Sequence, residues 1–85
     1  MSKEITSAQV RGARALLGWS GKELADQAGV GVATIRRVEA LEGIPAANAS
    51  TLKVIMLAME SCGIEFTGDP LVNPGVVLNL ASRQD

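Results

Sequence analysis

The sequence predicts a mostly α-helical domain of four helices that ends in a β-hairpin, and two features of the chain support this fold class. Helix-capping signatures recur, with apolar residues at helical spacing, through most of the 85 residues. The last part of the chain instead alternates apolar and polar residues around Pro and Gly, as strands and turns do. Because Trp19 and Phe66 are the only aromatic residues, we expect an aliphatic core.

Three of the predicted helices begin at an N-cap residue that is flanked by a hydrophobic pair at the staple positions. The N-cap residues are Thr6, Ser20 and Gly31. Gln9 follows the first cap by three residues, and Glu23 completes a capping box with the second. Gly18 and Gly29 follow the first two helices, where a left-handed residue commonly ends a helix. The predicted helices are Ser7–Leu17, Gly21–Ala28 and Val32–Leu41.

A fourth helix and a hairpin are predicted for the second half of the chain. Asn48 caps the helix Ala49–Ser61 after a break at residues 42–45. Alternation then predicts one strand at Ile64–Thr67 and a second over Val76–Leu80. Asn73-Pro74-Gly75 is predicted to form a type II turn, since Pro and Gly suit its central positions. We expect two antiparallel strands joined by a long loop.

Composition and charge limit the classes of function. Residues 11–37 hold five basic and two acidic residues (+3), whereas residues 54–85 hold one basic and four acidic residues (−3). This polarity permits nucleic-acid binding on one face. The chain has no His, no Tyr, no nucleophile–base pair and no Gly-rich phosphate loop, so we expect no enzyme, no cofactor and no metal site. Without a signal peptide or a long apolar run, and with a lone Cys62, a cytoplasmic protein is expected.

Helices 2 and 3 are separated by a single tight turn, and their spacing fits a helix-turn-helix. Ala25 is small where helix 3 is expected to cross helix 2 closely, and Gly29 can adopt positive φ at the turn. Val30, Ile35 and Val38 are expected to lock the second helix onto the first. In such a unit the second helix protrudes from the surface of the domain, where it can enter a major groove.

The segment Gly18–Val30 (GWSGKELADQAGV) and the following Ala33–Glu39 (ATIRRVE) resemble the phage repressor and Cro family, also called XRE-type helix-turn-helix regulators. The likeness extends over about residues 7–62. It implies a compact four-to-five-helix repressor-like domain that binds a palindromic operator as a dimer and represses transcription. It also implies that helix 3 reads bases while the N-termini of helices 2 and 4 hold phosphates. Gly21, Gly31 and Val32 depart from the family, which often has polar contact residues there.

The base-reading face is predicted on helix 3, opposite the apolar side that Ile35 and Val38 define. The predicted base-reading residues are Val32, Ala33, Arg36 and Arg37. Arginine can bridge guanine O6 and N7, and Val and Ala can meet thymine methyl groups. The alternative for the two arginines is a merely solvated face.

Phosphate contacts are predicted chiefly at helix N-termini, where main-chain N–H groups and the helix dipole favour anions. The candidates are Arg11, Ser20, Lys22, Thr34, Asn48, Ser50 and Thr51. For the residues at helix N-termini the alternative is capping alone, and for Arg11 it is plain solvation. The family resemblance implies that Arg14 is structural and pairs with Glu39.

We expect residues 1–63 to form the DNA-binding domain and residues 64–85 to form a hairpin tail, packed on the same domain, that helps the chain to form a homodimer. A two-stranded hairpin is marginal alone and needs a third strand or a packing surface. On helix 4, Val54, Leu57 and Ala58 lie away from the apolar stripe and could add to the interface. In the alternative, the hairpin packs on its own helix 4 and the chain is monomeric until it meets DNA.

Three hypotheses for function remain open from the sequence. The first is a dimeric, operator-binding regulator whose partner is double-stranded DNA. The second is an antiactivator that keeps the fold but sequesters a protein partner, and the third is an antitoxin that binds both DNA and a toxin. A gel shift with the DNA upstream of the gene separates the second from the others, and the neighbouring open reading frames separate the first from the third.

Overall fold

A computed structural model describes residues 4–40, 42–45 and 47–82. The elements in chain order are α1 (Ser7–Leu17), α2 (Gly21–Ala28), α3 (Val32–Ala40), α4 (Ala49–Glu60), β1 (Ile64–Thr67), β2 (Gly75–Leu78) and a short 3-10 helix (Leu80–Ser82). The predicted fold class, four helices followed by an antiparallel hairpin, is confirmed.

The first two helices have the predicted bounds because their signals are local. Thr6 accepts a hydrogen bond from the main-chain N–H of Gln9 at 3.0 Å, while its own N–H donates to the Gln9 side chain at 2.8 Å. Ser20 and Glu23 make the equivalent capping box. Gly18 and Gly29 end the helices with φ of 70° and 72°. Each helix is therefore delimited by hydrogen bonds made within a few residues of its ends.

Helices 3 and 4 begin at the predicted residues and β1 has the predicted bounds, whereas the end of α4 and the bounds of β2 differ slightly. The predicted end of helix 3 at Leu41 lies outside the described residues. The fourth helix ends at Glu60, with Ser61 as its C-cap. The second strand ends at Leu78 rather than Leu80, because Asn79 closes the ladder through its N–H to the Gly63 carbonyl and its side chain starts the 3-10 turn by accepting from Ala81.

The predicted type II turn at Asn73-Pro74-Gly75 is wrong. Gly75 lacks positive φ and opens β2 opposite Thr67, where a Cβ would lie 2.7 Å from the threonine Oγ1. The left-handed residue of the loop is Gly68, with φ of 75°. Asp69 and Asn73 organise the loop instead: Asn73 N–H donates to the Asp69 carbonyl at 2.9 Å, and Asp69 N–H donates to Asn73 Oδ1 at 2.8 Å.

An aliphatic core joins the four helices and the hairpin. Its buried members are Ile5, Val10, Ala13, Leu24, Ala25, Ile35, Val38, Ile55, Met56, Met59, Ile64 and Phe66. At ~0.8 kcal/mol for each buried CH₂ group, this cluster is the main source of stability for so short a chain.

The hairpin packs on the helices of its own chain: β1 lies against α4, and β2 lies against α1. Gly12 lets α1 approach closely, since a Cβ there would lie 3.2 Å from Val76 Cγ2. The buried side chain of Gln9 donates from Nε2 to the carbonyl of Gly75 at 2.8 Å and to that of Thr67 at 3.3 Å. One glutamine thus ties the start of α1 to the loop end of the hairpin.

Two kinds of structure are absent from the described ranges. None of the helices there combines the length and the apolar character needed to cross a membrane. The same ranges contain no group of three or more His, Cys, Asp or Glu side chains that could hold a metal ion.

Candidate nucleic-acid interface

The turn between α2 and α3 fixes the position of the second helix. Gly29 adopts the left-handed conformation, and the N–H of Val30 donates to the Ala25 carbonyl at 3.0 Å. Ala25 is buried under α3, whose inner side is held by the fully buried Ile35 and Val38. The outer side of α3 is therefore presented by a rigid scaffold.

The outer face of α3 carries a small, positively charged surface. Ala33, Arg36 and Arg37 are exposed, and neither guanidinium has an ion-pair partner within residues 4–40, 42–45 and 47–82. The alanine leaves the backbone accessible between longer side chains. Val32, also predicted to read bases, is half-buried and packs against the core, so only part of its side chain faces outward.

A cleft of about 630 Å³ separates α3 from the N-terminus of α4 and brings together four of the predicted contact residues. These are Thr34, Arg37, Asn48 and Thr51. Asn48 Oδ1 caps α4 by accepting the N–H of Thr51 at 2.8 Å. Arginine, hydroxyl and helix N-terminus converge here, a combination that suits an anionic phosphate oxygen.

The remaining phosphate candidates lie in three other places. Ser20 and Lys22 are exposed at the N-terminus of α2, where Lys22 Nζ lies 3.0 Å from Asp26 Oδ2. Ser50 donates to Asn48 Oδ1 at 2.9 Å, but it lines a different cleft, on the outer side of α4. Arg11 is exposed and donates from Nη1 to the main-chain carbonyl of Glu39.

Arg14 and Glu39 form a bidentate ion pair beside the C-terminal end of α3. Arg14 Nε lies 2.8 Å from Glu39 Oε2, and Nη2 lies 2.9 Å from Oε1. The third guanidinium nitrogen donates to the Trp19 carbonyl at 2.9 Å. The hydrogen bond to Glu39, helped by the charge of that carboxylate and opposed by burial, raises the pKa of Arg14. The pair therefore neutralises the one carboxylate on α3 and joins α1 and α3 to the turn that precedes α2.

Two sets of hydrogen bonds made by side chains of α1 could not be predicted from the sequence. Arg11 has the spacing of a surface residue on α1, and nothing local indicates that its guanidinium meets the last turn of α3. Gln9 is recognisable as a cap partner, but its bonds to the hairpin join residues more than fifty positions apart. Only the tertiary packing of α1 creates these contacts.

A helix-turn-helix whose outer helix bears two exposed arginines, beside a second helix N-terminus, defines the class: a DNA-binding protein. The sequence model of the helix-turn-helix family matches residues 10–60, which is more than half of the chain. The chain therefore belongs to the XRE-type helix-turn-helix family of DNA-binding transcription regulators. No curated protein matches it.

Proposed function

We propose that this protein is a sequence-specific repressor that binds an inverted-repeat operator as a homodimer and inserts α3 into the major groove. The observation that carries the proposal is the pair of exposed arginines, Arg36 and Arg37, on the outer face of a rigidly held helix. With no carboxylate partner in the described part of the chain, both side chains can contact DNA without first breaking an ion pair.

The proposed base contacts follow from side-chain chemistry. The guanidinium fork of Arg36 or Arg37 matches the O6 and N7 acceptors of guanine, and such a bidentate contact discriminates against a wrong base by about 1–3 kcal/mol. Ala33 and the exposed part of Val32 offer apolar contacts to thymine methyl groups. Specificity in this proposal rests on few side chains, since glycines occupy positions 21 and 31.

The proposed phosphate contacts surround this face. Asn48 and Thr51 at the start of α4, with Thr34, hold one backbone segment, and Ser20 and Lys22 at the start of α2 hold another. Arg11 can add a contact through the guanidinium nitrogens that do not bind Glu39. Ser50 stays a prediction with weaker support, because it lies on the other side of the α4 N-terminus.

A dimer is proposed because one α3 reads only a few base pairs, whereas two copies read half-sites about 34 Å apart on one face of DNA. Occupying such a site excludes other proteins from it, which is the proposed basis of repression. The contribution of residues 64–85 to dimerisation stays a prediction. Ile64 and Phe66 are buried against the chain's own helices. Four exposed side chains of this segment remain as apolar surface for a partner: Leu71, Val72, Val77 and Leu80.

The experiment is a selection of bound duplexes from a randomised DNA library by the full chain. We expect an inverted repeat whose half-site centres lie about 10 base pairs apart. Arg37→Lys is the matched control, because it keeps the charge but loses the bidentate fork, and it should still bind DNA while enriching a more degenerate site. Failure to enrich any sequence would contradict the proposal and favour a protein-sequestering function.

A further inference from the structure

A second cleft, of about 700 Å³, runs along the outer side of α4 and is separate from the α3 surface. We call it the α4 groove. Its apolar wall is formed by Ile44, Pro45, Ala47, Leu52, Met56 and Leu57. The side chain of Leu57 is 52% exposed, and the neighbouring Val54 is 38% exposed. Apolar surface of this kind on the side of a short helix is commonly covered by a partner.

Three charged residues line the groove, Glu4, Lys53 and Glu60, and the two that lie on α4 carry opposite charges in a particular order. Lys53 and Glu60 both line the groove, and neither has an ion-pair partner in the ranges that the structure describes. Because they are seven residues apart on one helix, they lie on the same stripe and about 10.5 Å apart along the axis. Leu57 lies between them on that stripe.

We propose that the α4 groove binds the α4 of a second copy of this chain in antiparallel orientation. This inference rests on the homodimer of the proposed function and specifies its interface. A two-fold axis beside Leu57 places Lys53 against Glu60 of the second copy, and Glu60 against Lys53 of the second copy. The surface is self-complementary only in the antiparallel orientation, since a parallel pair would set lysine against lysine. The order of Lys53 and Glu60 along α4 and the exposed side chain of Leu57 therefore both favour a second copy of this chain as the partner.

The position of the groove also suits binding to two half-sites. Pro45 and Ala47 line both the α4 groove and the cleft between α3 and α4, so the two clefts adjoin near the N-terminus of α4. The domain measures 32 × 29 × 23 Å. Two such domains side by side lie about one domain width apart, which is of the order of the ~34 Å spacing of adjacent half-sites.

The small size of the proposed interface limits the expected affinity of the dimer. The twelve residues of α4 span only about 18 Å, so the contact lies at the small end for specific complexes. We expect a weak dimer without DNA, with a dissociation constant of roughly 10–100 µM. Its electrostatic pairs should make dimerisation weaker at high salt.

The test is sedimentation equilibrium without DNA on the wild type, Lys53→Glu, Glu60→Lys and an equimolar mixture of these two variants. Each reversal alone sets like charges together twice and should weaken dimerisation at least about tenfold. In the mixture every contact is again lysine against glutamate, so mixed dimers should form with near wild-type affinity. Asp26→Lys, on the exposed side of α2 and outside both the α4 groove and the hairpin, is the matched charge reversal and should leave dimerisation unchanged.

The outcomes separate this inference from the proposed function. A wild type that stays monomeric at several hundred micromolar but still enriches DNA would overturn the interface and leave DNA binding intact. A dimer that Asp26→Lys weakens equally, or that the mixture does not restore, would also overturn it. Circular dichroism of each variant verifies its fold, and the rescue by mixing cannot come from misfolded chains.

Discussion

Replacing Arg14 by Ala should destabilise the fold more than it alters DNA recognition. The substitution removes three hydrogen bonds, two to the Glu39 carboxylate and one to the Trp19 carbonyl. It also leaves Glu39, whose side chain is only 12% exposed, without its cation. A half-buried carboxylate that loses its partner keeps its desolvation cost and gains nothing in return.

The free energy of unfolding that Arg14→Ala removes should lie between the values for exposed and for buried ion pairs. Exposed ion pairs contribute less than about 1 kcal/mol, and breaking a buried pair costs about 3–5 kcal/mol. With Arg14 28% and Glu39 12% exposed, we expect a loss of about 2 kcal/mol. For a domain of this size that lowers the melting midpoint by roughly 8–16 °C. Because folding raises the Arg14 pKa, this contribution is complete below the ordinary arginine pKa, and the deficit should not change between about pH 7 and about pH 10.

Thermal melting followed by circular dichroism measures this effect. Lys22→Ala is the matched control, because its pair with Asp26 is 77% and 65% exposed and its loss should move the midpoint by less than about 4 °C. The double variant Arg14→Ala/Glu39→Ala should lose less than the sum of the single variants. An unchanged midpoint for Arg14→Ala together with lost DNA binding would refute the reasoning and reassign Arg14 to the phosphate backbone.

Three further predictions concern DNA binding and the hairpin. Arg36→Ala and Arg37→Ala should each cost about 1–3 kcal/mol of specific binding while circular dichroism stays native, and wild-type affinity in both would mean that the recognition face is misplaced. The slope of log K against log salt should be about −5 to −7 for a dimer that neutralises ~3–4 phosphates in each half-site, and a flat response would count against DNA as the ligand. Gly68→Ala should destabilise the fold by more than about 2 kcal/mol, because φ is 75° and a Cβ would lie 2.0 Å from the Asn73 carbonyl oxygen. Gly18→Ala, left-handed but with open space around it, should cost only about 1 kcal/mol, and equal melting midpoints for the two variants would contradict this account of the loop.

The helices were predictable from the sequence because their boundaries are set locally. The Thr6 and Ser20 capping boxes and the left-handed Gly18 and Gly29 involve residues within one turn of each helix end. The predicted turn at Gly75 failed for the opposite reason. That glycine is required by the close approach of Thr67 across the ladder, which is a contact set by the register of the two strands and not by the turn sequence itself.

In the candidate site, too, the features set by local sequence were predictable and those set by tertiary packing were not. Helical periodicity alone places Arg36 and Arg37 opposite the buried Ile35 and Val38, as the structure has them. Periodicity gives no information about which helix ends meet. That Asn48 joins Arg37 in one cleft while Ser50 faces another depends on how α3 and α4 each pack on α2, which no local pattern encodes.

The central claim, that α3 is the DNA-binding surface of this chain, is tested most directly by NMR titration of the labelled protein with the duplex that the selection enriches. We predict that the largest changes in amide chemical shift map to residues 31–37 and 48–51, with small changes on the outward face of the hairpin. Changes centred on the hairpin, or equal changes with a scrambled duplex, would contradict the claim.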